Sequence, residues 1–130
     1  MPEPAPSRPA PQTVAVIGAS NDRSKYGNRA VRAYRAEGYR VFPVNPRQAS
    51  IEGLKVYASI LDIPGPVDRA TVYLPPERTL QVLEEIARNG VRELFLNPGS
   101  ESGEVIARAQ ELGLVPILAC SIVDIGRSPE

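Results

Sequence analysis

The 130-residue sequence contains no histidine, no tryptophan and a single cysteine, Cys120. Histidine is the commonest general base and the commonest metal ligand, so its absence argues against a metal centre, and against zinc above all. One cysteine excludes an internal disulfide framework. We therefore expect no metal site, and the sequence shows no set of side chains that pairs a nucleophile with a base.

Net charge is also missing, because 15 lysine and arginine residues balance 15 aspartate and glutamate residues. Because no net charge creates a long-range electrostatic field, binding to nucleic acid or to an anionic membrane is not expected. The longest apolar runs, such as 115–120, are far shorter than the roughly 20 residues that span a bilayer. Residues 1–12 lack the apolar core of a signal peptide. We expect a cytoplasmic protein that recognises a small molecule at a local site, as a homo-oligomer or with a protein partner.

Apolar residues make up 42% of the chain, which suits one globular domain with one core. The first twelve residues differ from the rest, since proline occupies positions 2, 4, 6, 9 and 11 and almost nothing there can be buried. We therefore expect a mobile tail over residues 1–12 and a single domain over residues 13–130.

Strand-length apolar runs alternate with segments of helical period along that domain. Strands are predicted at about 13–17, 40–44, 69–73, 93–96 and 115–119, and helices at about 26–37, 76–90 and 102–112. The connector over 46–66 is expected to be irregular, with one helical turn near 60–63. Because strands that alternate with helices must pair in parallel, we expect a three-layer α/β domain with helices on both faces of about five parallel strands.

In an open parallel sheet, ligands bind outside the carboxyl ends of the strands. This rule selects segments 18–27, 44–47, 73–76 and 97–100. Gly18 permits a tight turn, and the small Ala19 and Ser20 allow a phosphate to approach the backbone, with the serine hydroxyl as a further donor. An ordinary turn between a strand and a helix would have the same sequence, so both interpretations stay open.

The residues of these segments also indicate which nucleotide ligands are favoured. The first turn keeps one glycine of the dinucleotide pattern G-x-G-x-x-G, and no acidic residue follows the second strand, which ends in Val44-Asn45-Pro46-Arg47. An arginine there suits a phosphate on the ribose, so coenzyme A or NADP is favoured over NAD. Arg47 and Lys25 are equally compatible with solvated surface positions. No P-loop pattern is present.

Three stretches resemble a known family. They are Gly18-Ala19-Ser20, the run Gly38-Tyr39-Arg40-Val41-Phe42-Pro43-Val44-Asn45-Pro46, and Gly53-Leu54-Lys55-Val56-Tyr57. Over about residues 13–120 the sequence resembles the small bacterial and archaeal CoA-binding proteins, single-domain relatives of the N-terminal domain of the succinyl-CoA synthetase alpha subunit. This resemblance implies a Rossmann-like fold with coenzyme A lying across the strand ends.

The resemblance also assigns roles to the four segments. It implies that 18–20 and 25–27 hold phosphates, that 44–47 lie beside the adenosine, and that 73–75 and 97–99 line the route to the pantetheine. The candidate site residues are Gly18, Ala19, Ser20, Lys25, Tyr26, Gly27, Val44, Asn45, Pro46, Arg47, Tyr73, Leu74, Pro75, Asn97, Pro98 and Gly99.

The sequence departs from the family pattern at the thiol end. The family often has Phe-Arg-Pro in place of Tyr73-Leu74-Pro75 and Gln-x-Gly in place of Asn97-Pro98-Gly99, and its cysteine segment continues toward Glu-His, which is absent after Cys120. Succinyl-CoA synthetase works through a phosphorylated histidine, and this chain has no histidine. We therefore expect binding without catalysis.

Two other functions stay open, an NADP-dependent oxidoreductase and an interaction subunit of an acyl-CoA ligase. Cys120, at the end of the fifth strand, is either a partner for the coenzyme A thiol or a small buried hydrophobe. Asp62 and Asp68 are expected to cap turns.

Overall fold

The computed structural model describes residues 12–129. Its strands and helices follow the alternation of the sequence. The strands are β1 (Thr13–Ile17), β2 (Arg40–Val44), β3 (Ser50–Ile51), β4 (Leu54–Lys55), β5 (Arg69–Val72), β6 (Glu93–Leu96) and β7 (Pro116–Leu118). The helices are α1 (Tyr26–Ala36), a 3-10 turn (Ile60–Asp62), α2 (Pro76–Asn89), α3 (Gly103–Glu111) and α4 (Ser121–Asp124).

Five strands form one parallel sheet in the order β2-β1-β5-β6-β7. Ile17, the last residue of β1, is paired with Val44 on one side and with Val72 on the other. The strands therefore end at one common edge, and β2 and β5, the next two strands of this sheet along the chain, lie on opposite sides of β1. Such a switch in strand order opens a crevice at the carboxyl edge. The predicted α/β fold is confirmed.

Side chains alternate between the two faces of each strand, and each face has its own core. Val14 and Val16 of β1 pack with Val31 and Tyr34 of α1 and with Ile122 of α4. Ala15 and Ile17 face the other side, where the core includes residues of α2 and α3. The sheet thus lies between two helical layers. No described helix is long and apolar enough to cross a membrane.

The connector between β2 and β5 differs from the expectation of irregular structure, because it contains a hairpin. Strands β3 and β4 pair antiparallel through Glu52 and Gly53, whose φ angles are 50° and 76°. Two successive positive φ angles are typical of the tight turn that suits the twist of a hairpin. Strands of two residues are too short to show alternation, so the sequence did not reveal them. The predicted helical turn near 60–63 is confirmed.

Helix α4 was not predicted, and β7 is shorter than the strand expected over 115–119. A helix of four residues carries too little periodicity to be detected from sequence. It begins directly after Cys120, its N-cap residue. This short element covers the end of the sheet edge where the candidate site lies.

The Asp68 carboxylate binds the start of β1 instead of capping a turn as predicted. Its Oδ2 accepts hydrogen bonds from the backbone N–H groups of Gln12 and Thr13, at 2.9 and 3.1 Å, and from Thr13 Oγ1. These bonds, led by that of Gln12, hold the pKa of Asp68 below its ordinary value. Gln12 is therefore bound to the domain, although we assigned it to the tail. The rest of the expected tail, residues 1–11, lies outside the described residues.

The lowered pKa of Asp68 predicts an acid-sensitive contribution to stability. A carboxyl whose folded pKa is depressed stabilises the fold above its ordinary pKa of about 4, and this stabilisation is lost as the pH falls through the lowered value. Asp68→Asn should therefore be less stable at neutral pH and should lose less stability as the pH falls below about 4. Urea denaturation across that range measures both effects. Asp62→Asn, at an exposed carboxyl, is the control, and an unchanged pH profile in Asp68→Asn would contradict the assignment.

Candidate ligand-binding site

A groove follows the carboxyl edge of the sheet, and it consists of three adjoining cavities. The outer cavity, of about 580 Å³, lies between the ends of β1 and β2 and the side of α2. The middle cavity, of about 480 Å³, shares Gly18, Lys25 and Leu74 with it. The two cavities together lie directly over the switch point of the sheet.

The end cavity, of about 160 Å³, continues the groove toward α4. It shares Tyr26, Tyr73 and Pro98 with the middle cavity and reaches Cys120. Cys120 is half-buried: it packs against the core and is partly exposed in this wall, so both interpretations of this cysteine stay open. All sixteen candidate residues except Ala19 line one of the three cavities. Ala19 is 1% exposed and belongs to the core beneath the groove.

The turn after β1 is fixed by two glycines. Gly18 has a φ of +90°, and a Cβ atom added there would lie 3.1 Å from the carbonyl group of Tyr73. A Cβ atom added to Gly27 would lie 2.2 Å from the carbonyl oxygen of Gly18, which is closer than any real contact. Helix α1 therefore packs against the turn backbone to backbone, and its first residues reach the groove.

The N-terminus of α1 offers donors to an anion. Its N-cap residue, Lys25, makes no capping hydrogen bond with its side chain, and no acidic residue lies in the first turn. The first backbone N–H groups of a helix lack partners within the helix and carry the positive end of its dipole. The Asp22 carboxylate in the preceding loop accepts hydrogen bonds from the N–H and hydroxyl groups of Ser24. This middle part of the groove is suited to a phosphate group.

Asn45 connects the two loops of the outer cavity. Its Nδ2 donates to the carbonyl oxygen of Ala19 at 2.8 Å, and its Oδ1 accepts from the N–H of Arg47 at 2.7 Å. Asn45 therefore shapes the wall of the cavity, and Arg47, which is exposed, supplies positive charge at the rim. Pro46 and Val44 complete this side of the wall.

The opposite wall of the outer cavity was missed by the sequence reasoning. It is formed by a second stripe of α2, with Arg78, Gln81, Val82 and Glu85 at the spacing i, i+3, i+4 and i+7. Glu85 Oε1 accepts a 2.6 Å hydrogen bond from Ser59 Oγ, which joins α2 to the segment before the 3-10 turn. The stripe lies beside the buried face of α2. Its helical spacing is visible in the sequence, but the element that it faces is not.

Around the end cavity, the polar groups bind one another. Asn97 Nδ2 donates to Thr71 Oγ1 at 2.7 Å and to the carbonyl oxygen of Val72 at 2.9 Å, while Asn97 Oδ1 accepts from the N–H of Ser121. The hydroxyl of Tyr73 lies 3.3 Å from Ser121 Oγ. Burial raises the pKa of Tyr73 to about 12, so the phenol stays neutral. Asn97 was predicted to line the ligand route, and its amide also fastens α4 to the sheet.

No group of three or more His, Cys, Asp or Glu side chains is placed to hold a metal ion within residues 12–129. The outer and middle cavities thus offer backbone donors, the cations Lys25, Arg47 and Arg78 and the carboxylate of Glu85, which binds Ser59, whereas neutral side chains line the end cavity. The chemistry of the groove is that of a binding site for an elongated anion with an uncharged end.

Comparison with known proteins identifies relatives of this architecture. A family model described as a CoA binding domain matches residues 12–125. The alpha subunit of acetate–CoA ligase (ADP-forming) II from Pyrococcus furiosus is 36% identical over 110 residues, which represent 82% of this chain and 24% of that subunit. The chain spans between 12% and 24% of the length of the first five ligase relatives.

Two solved structures extend the comparison. A conserved hypothetical protein from Pyrococcus furiosus has 34% sequence identity and a TM-score of 0.80, over 87% of this chain and 98% of that one. The dinucleotide-forming acetyl-coenzyme A synthetase 1 of Ca. Korarchaeum cryptofilum, in its apo form, has 30% identity and a TM-score of 0.72, over 82% of this chain and 26% of that one. The Rossmann-like fold and the family resemblance inferred from the sequence are confirmed.

The contact between Gly27 and Gly18 predicts a sharp steric effect. Gly27→Ala should lower the free energy of unfolding by about 1–3 kcal/mol, because the new methyl group meets a backbone carbonyl that cannot move aside. The matched control is Gly103→Ala, in the first turn of α3, where an added Cβ meets nothing within 4 Å. That variant should be neutral or more stable by up to about 1 kcal/mol. Equal urea midpoints for the two variants would contradict this packing.

Proposed function

The chain belongs to the family of CoA-binding domains, and we propose that it binds coenzyme A along the groove at the carboxyl edge of its sheet. The observation that carries the proposal is the order of charge along the groove. Coenzyme A has a phosphorylated ribose at one end, a pyrophosphate in the middle and an uncharged pantetheine that ends in a thiol. The outer, middle and end cavities present matching groups in the same order.

In the proposed complex, the adenosine and its 3′-phosphate occupy the outer cavity. Arg47 and Arg78 lie on its two walls and supply the cations for a phosphate. Ala58 and Val82 give it apolar surface for the adenine. Segment 44–47 thus lies beside the adenosine in the proposed complex, as expected from the sequence. Arg78 is a further residue proposed to bind the 3′-phosphate.

The pyrophosphate is proposed to lie between the Gly18 turn and the start of α1. Lys25 lines both the outer and the middle cavity, so its ammonium group can reach either phosphate position. The N–H groups of the first turn of α1 are the remaining donors. Beyond them the pantetheine follows Leu74, Pro98 and Gly99 toward Cys120.

We further propose that this chain binds its ligand without catalysing a reaction. The support is the state of the polar side chains at the thiol end. Asn97, Thr71 and Ser121 are hydrogen-bonded to one another, and Tyr73 is a neutral phenol beside them. These groups are occupied in holding α4, and the sequence supplies no histidine to act as a base or a phosphate carrier.

A second candidate function is favoured by the edge strand β7. Val115, Leu118 and Val123 are 81%, 53% and 56% exposed, so an apolar edge of the sheet lies open. In an acyl-CoA ligase assembly, this edge would dock on the other domains of the ligase. Co-elution with an ADP-forming acetate–CoA ligase from which the homologous segment has been removed would support it. Separate elution of the two at micromolar concentration would argue against it.

Calorimetry with coenzyme A, 3′-dephospho-coenzyme A, NADP and NAD tests the main proposal. We expect micromolar binding of coenzyme A and a loss of tenfold or more, about 1.4 kcal/mol, without the 3′-phosphate. Saturable binding of NADP with no heat from coenzyme A would overturn the proposal and favour the oxidoreductase alternative.

Arginine variants identify the groups that recognise the 3′-phosphate. Arg47→Ala and Arg78→Ala should each weaken coenzyme A by about tenfold and change 3′-dephospho-coenzyme A much less, because the lost partner is absent from that ligand. Arg88→Ala removes an exposed arginine at the far end of α2 and is the control. If the two site variants weakened both ligands equally, the arginines would not contact the 3′-phosphate.

A further inference from the structure

The end cavity is larger than a thiol needs. Its volume is about 160 Å³, and it is lined by Tyr26, Tyr73, Asn97, Pro98, Cys120 and Pro129. A cavity of about 150 Å³ is large enough to hold a benzene molecule. A coenzyme A thiol that reached this cavity would leave most of its volume unfilled.

The wall of the end cavity offers no charge to a ligand. None of its six lining residues, within the part of the chain that the structure describes, carries a charged side chain. Lys25 lines the other two cavities and not this one. Arg29 contacts two wall residues, with its guanidinium 5.2 Å from the centre of the Tyr26 ring and its Nη1 donating to the Pro129 carbonyl, but it is not a lining residue.

The polar groups of two wall residues, Asn97 and Tyr73, are bound within the protein. The amide of Asn97 makes three hydrogen bonds within the protein, and the hydroxyl of Tyr73 points to Ser121 Oγ. The wall then offers a ligand the aromatic surface of the tyrosines, the neutral hydroxyl of the exposed Tyr26, the ring of Pro98 and the polarisable sulfur of Cys120. Such a surface favours a small apolar group and penalises an ionised one, which would lose its hydration without gaining a partner.

We infer that the end cavity is an acyl chamber, so that the ligand class extends to coenzyme A thioesters with a short, uncharged acyl group. This inference rests on the proposed binding of coenzyme A in the rest of the groove. The chamber holds an acyl chain of about four carbons, excludes longer chains by its volume, and disfavours acyl groups that end in a carboxylate.

The test compares five ligands by calorimetry, with a phosphine reductant present to keep the Cys120 thiol reduced. They are coenzyme A and its acetyl, butyryl, succinyl and octanoyl thioesters. Butyryl-CoA should bind more tightly than acetyl-CoA, by up to about fourfold for each methylene buried. Succinyl-CoA matches butyryl-CoA in chain length but ends in a carboxylate, and it should bind at least tenfold more weakly. Octanoyl-CoA should also bind at least tenfold more weakly than butyryl-CoA.

The outcomes distinguish a failure of the acyl chamber from a failure of coenzyme A binding. Binding of coenzyme A with equal affinities for all four thioesters would overturn the acyl chamber and leave the proposed function standing. Failure of coenzyme A itself to bind, with the fold intact by circular dichroism, would overturn both. A preference for succinyl-CoA over butyryl-CoA would show a cationic group at the thiol end, and it would also reject the chamber.

Variants of the wall residues test whether the acyl group lies in the end cavity. Cys120→Leu adds volume inside the chamber, so the ratio of the dissociation constants of butyryl-CoA and coenzyme A should rise at least tenfold. Val123→Leu makes a similar addition at an exposed position of α4 and should leave that ratio unchanged. Tyr26→Ala widens the chamber and should narrow the difference between octanoyl-CoA and butyryl-CoA. Unchanged ratios in both Cys120→Leu and Tyr26→Ala would place the acyl group elsewhere.

Discussion

The close approach of two backbones, at Gly27 of α1 and Gly18 of the β1 turn, determines the shape of the groove. With 2.2 Å between the carbonyl oxygen of Gly18 and the position of an absent Cβ atom, no other residue fits at position 27 without moving the helix. Since α1 cannot withdraw, its first turn stays at the edge of the sheet. The middle cavity and its donors exist because of this contact, and they need no flexible loop to form them.

A buried polar layer sets the other end of the groove. Arg69 of β5 has a side chain only 5% exposed, and it bridges Glu93 of β6 and Asp124 of α4 at 3.1 and 2.9 Å. Beside it, Asn97 and Ser121 join β6 to α4 through a hydrogen bond to the backbone. Removal of one partner from such a network leaves an uncompensated buried group, which is strongly destabilising. Helix α4 is therefore held by directional bonds. Cys120, its N-cap residue, is held in place with it and forms part of the wall of the proposed acyl chamber.

Features that follow from periodicity could be predicted from the sequence, whereas short elements and contacts between distant elements could not. The strands and long helices follow from apolar periodicity, and the groove follows from the rule that parallel strands present their carboxyl ends at one edge. The hairpin at 50–55 and helix α4 are too short to be periodic. The wall formed by Arg78 and Val82 arises because α2 crosses beside the β2 loop, and such a relation between distant elements has no local signature. The bonds of Asn97 were hidden for the same reason, since its partners lie about 25 positions away in sequence.

The order of polarity along the groove also determines the orientation of the proposed ligand. Backbone donors, Lys25 and two arginines lie at the outer and middle cavities, whereas neutral side chains line the end cavity. A reversed ligand would place phosphates against tyrosine rings and a proline, where they would lose hydration without gaining partners. It would also leave the cations without an anion. In the proposed complex the orientation therefore follows from charge, and the proposed selection at the thiol end rests on the volume and neutrality of the end cavity.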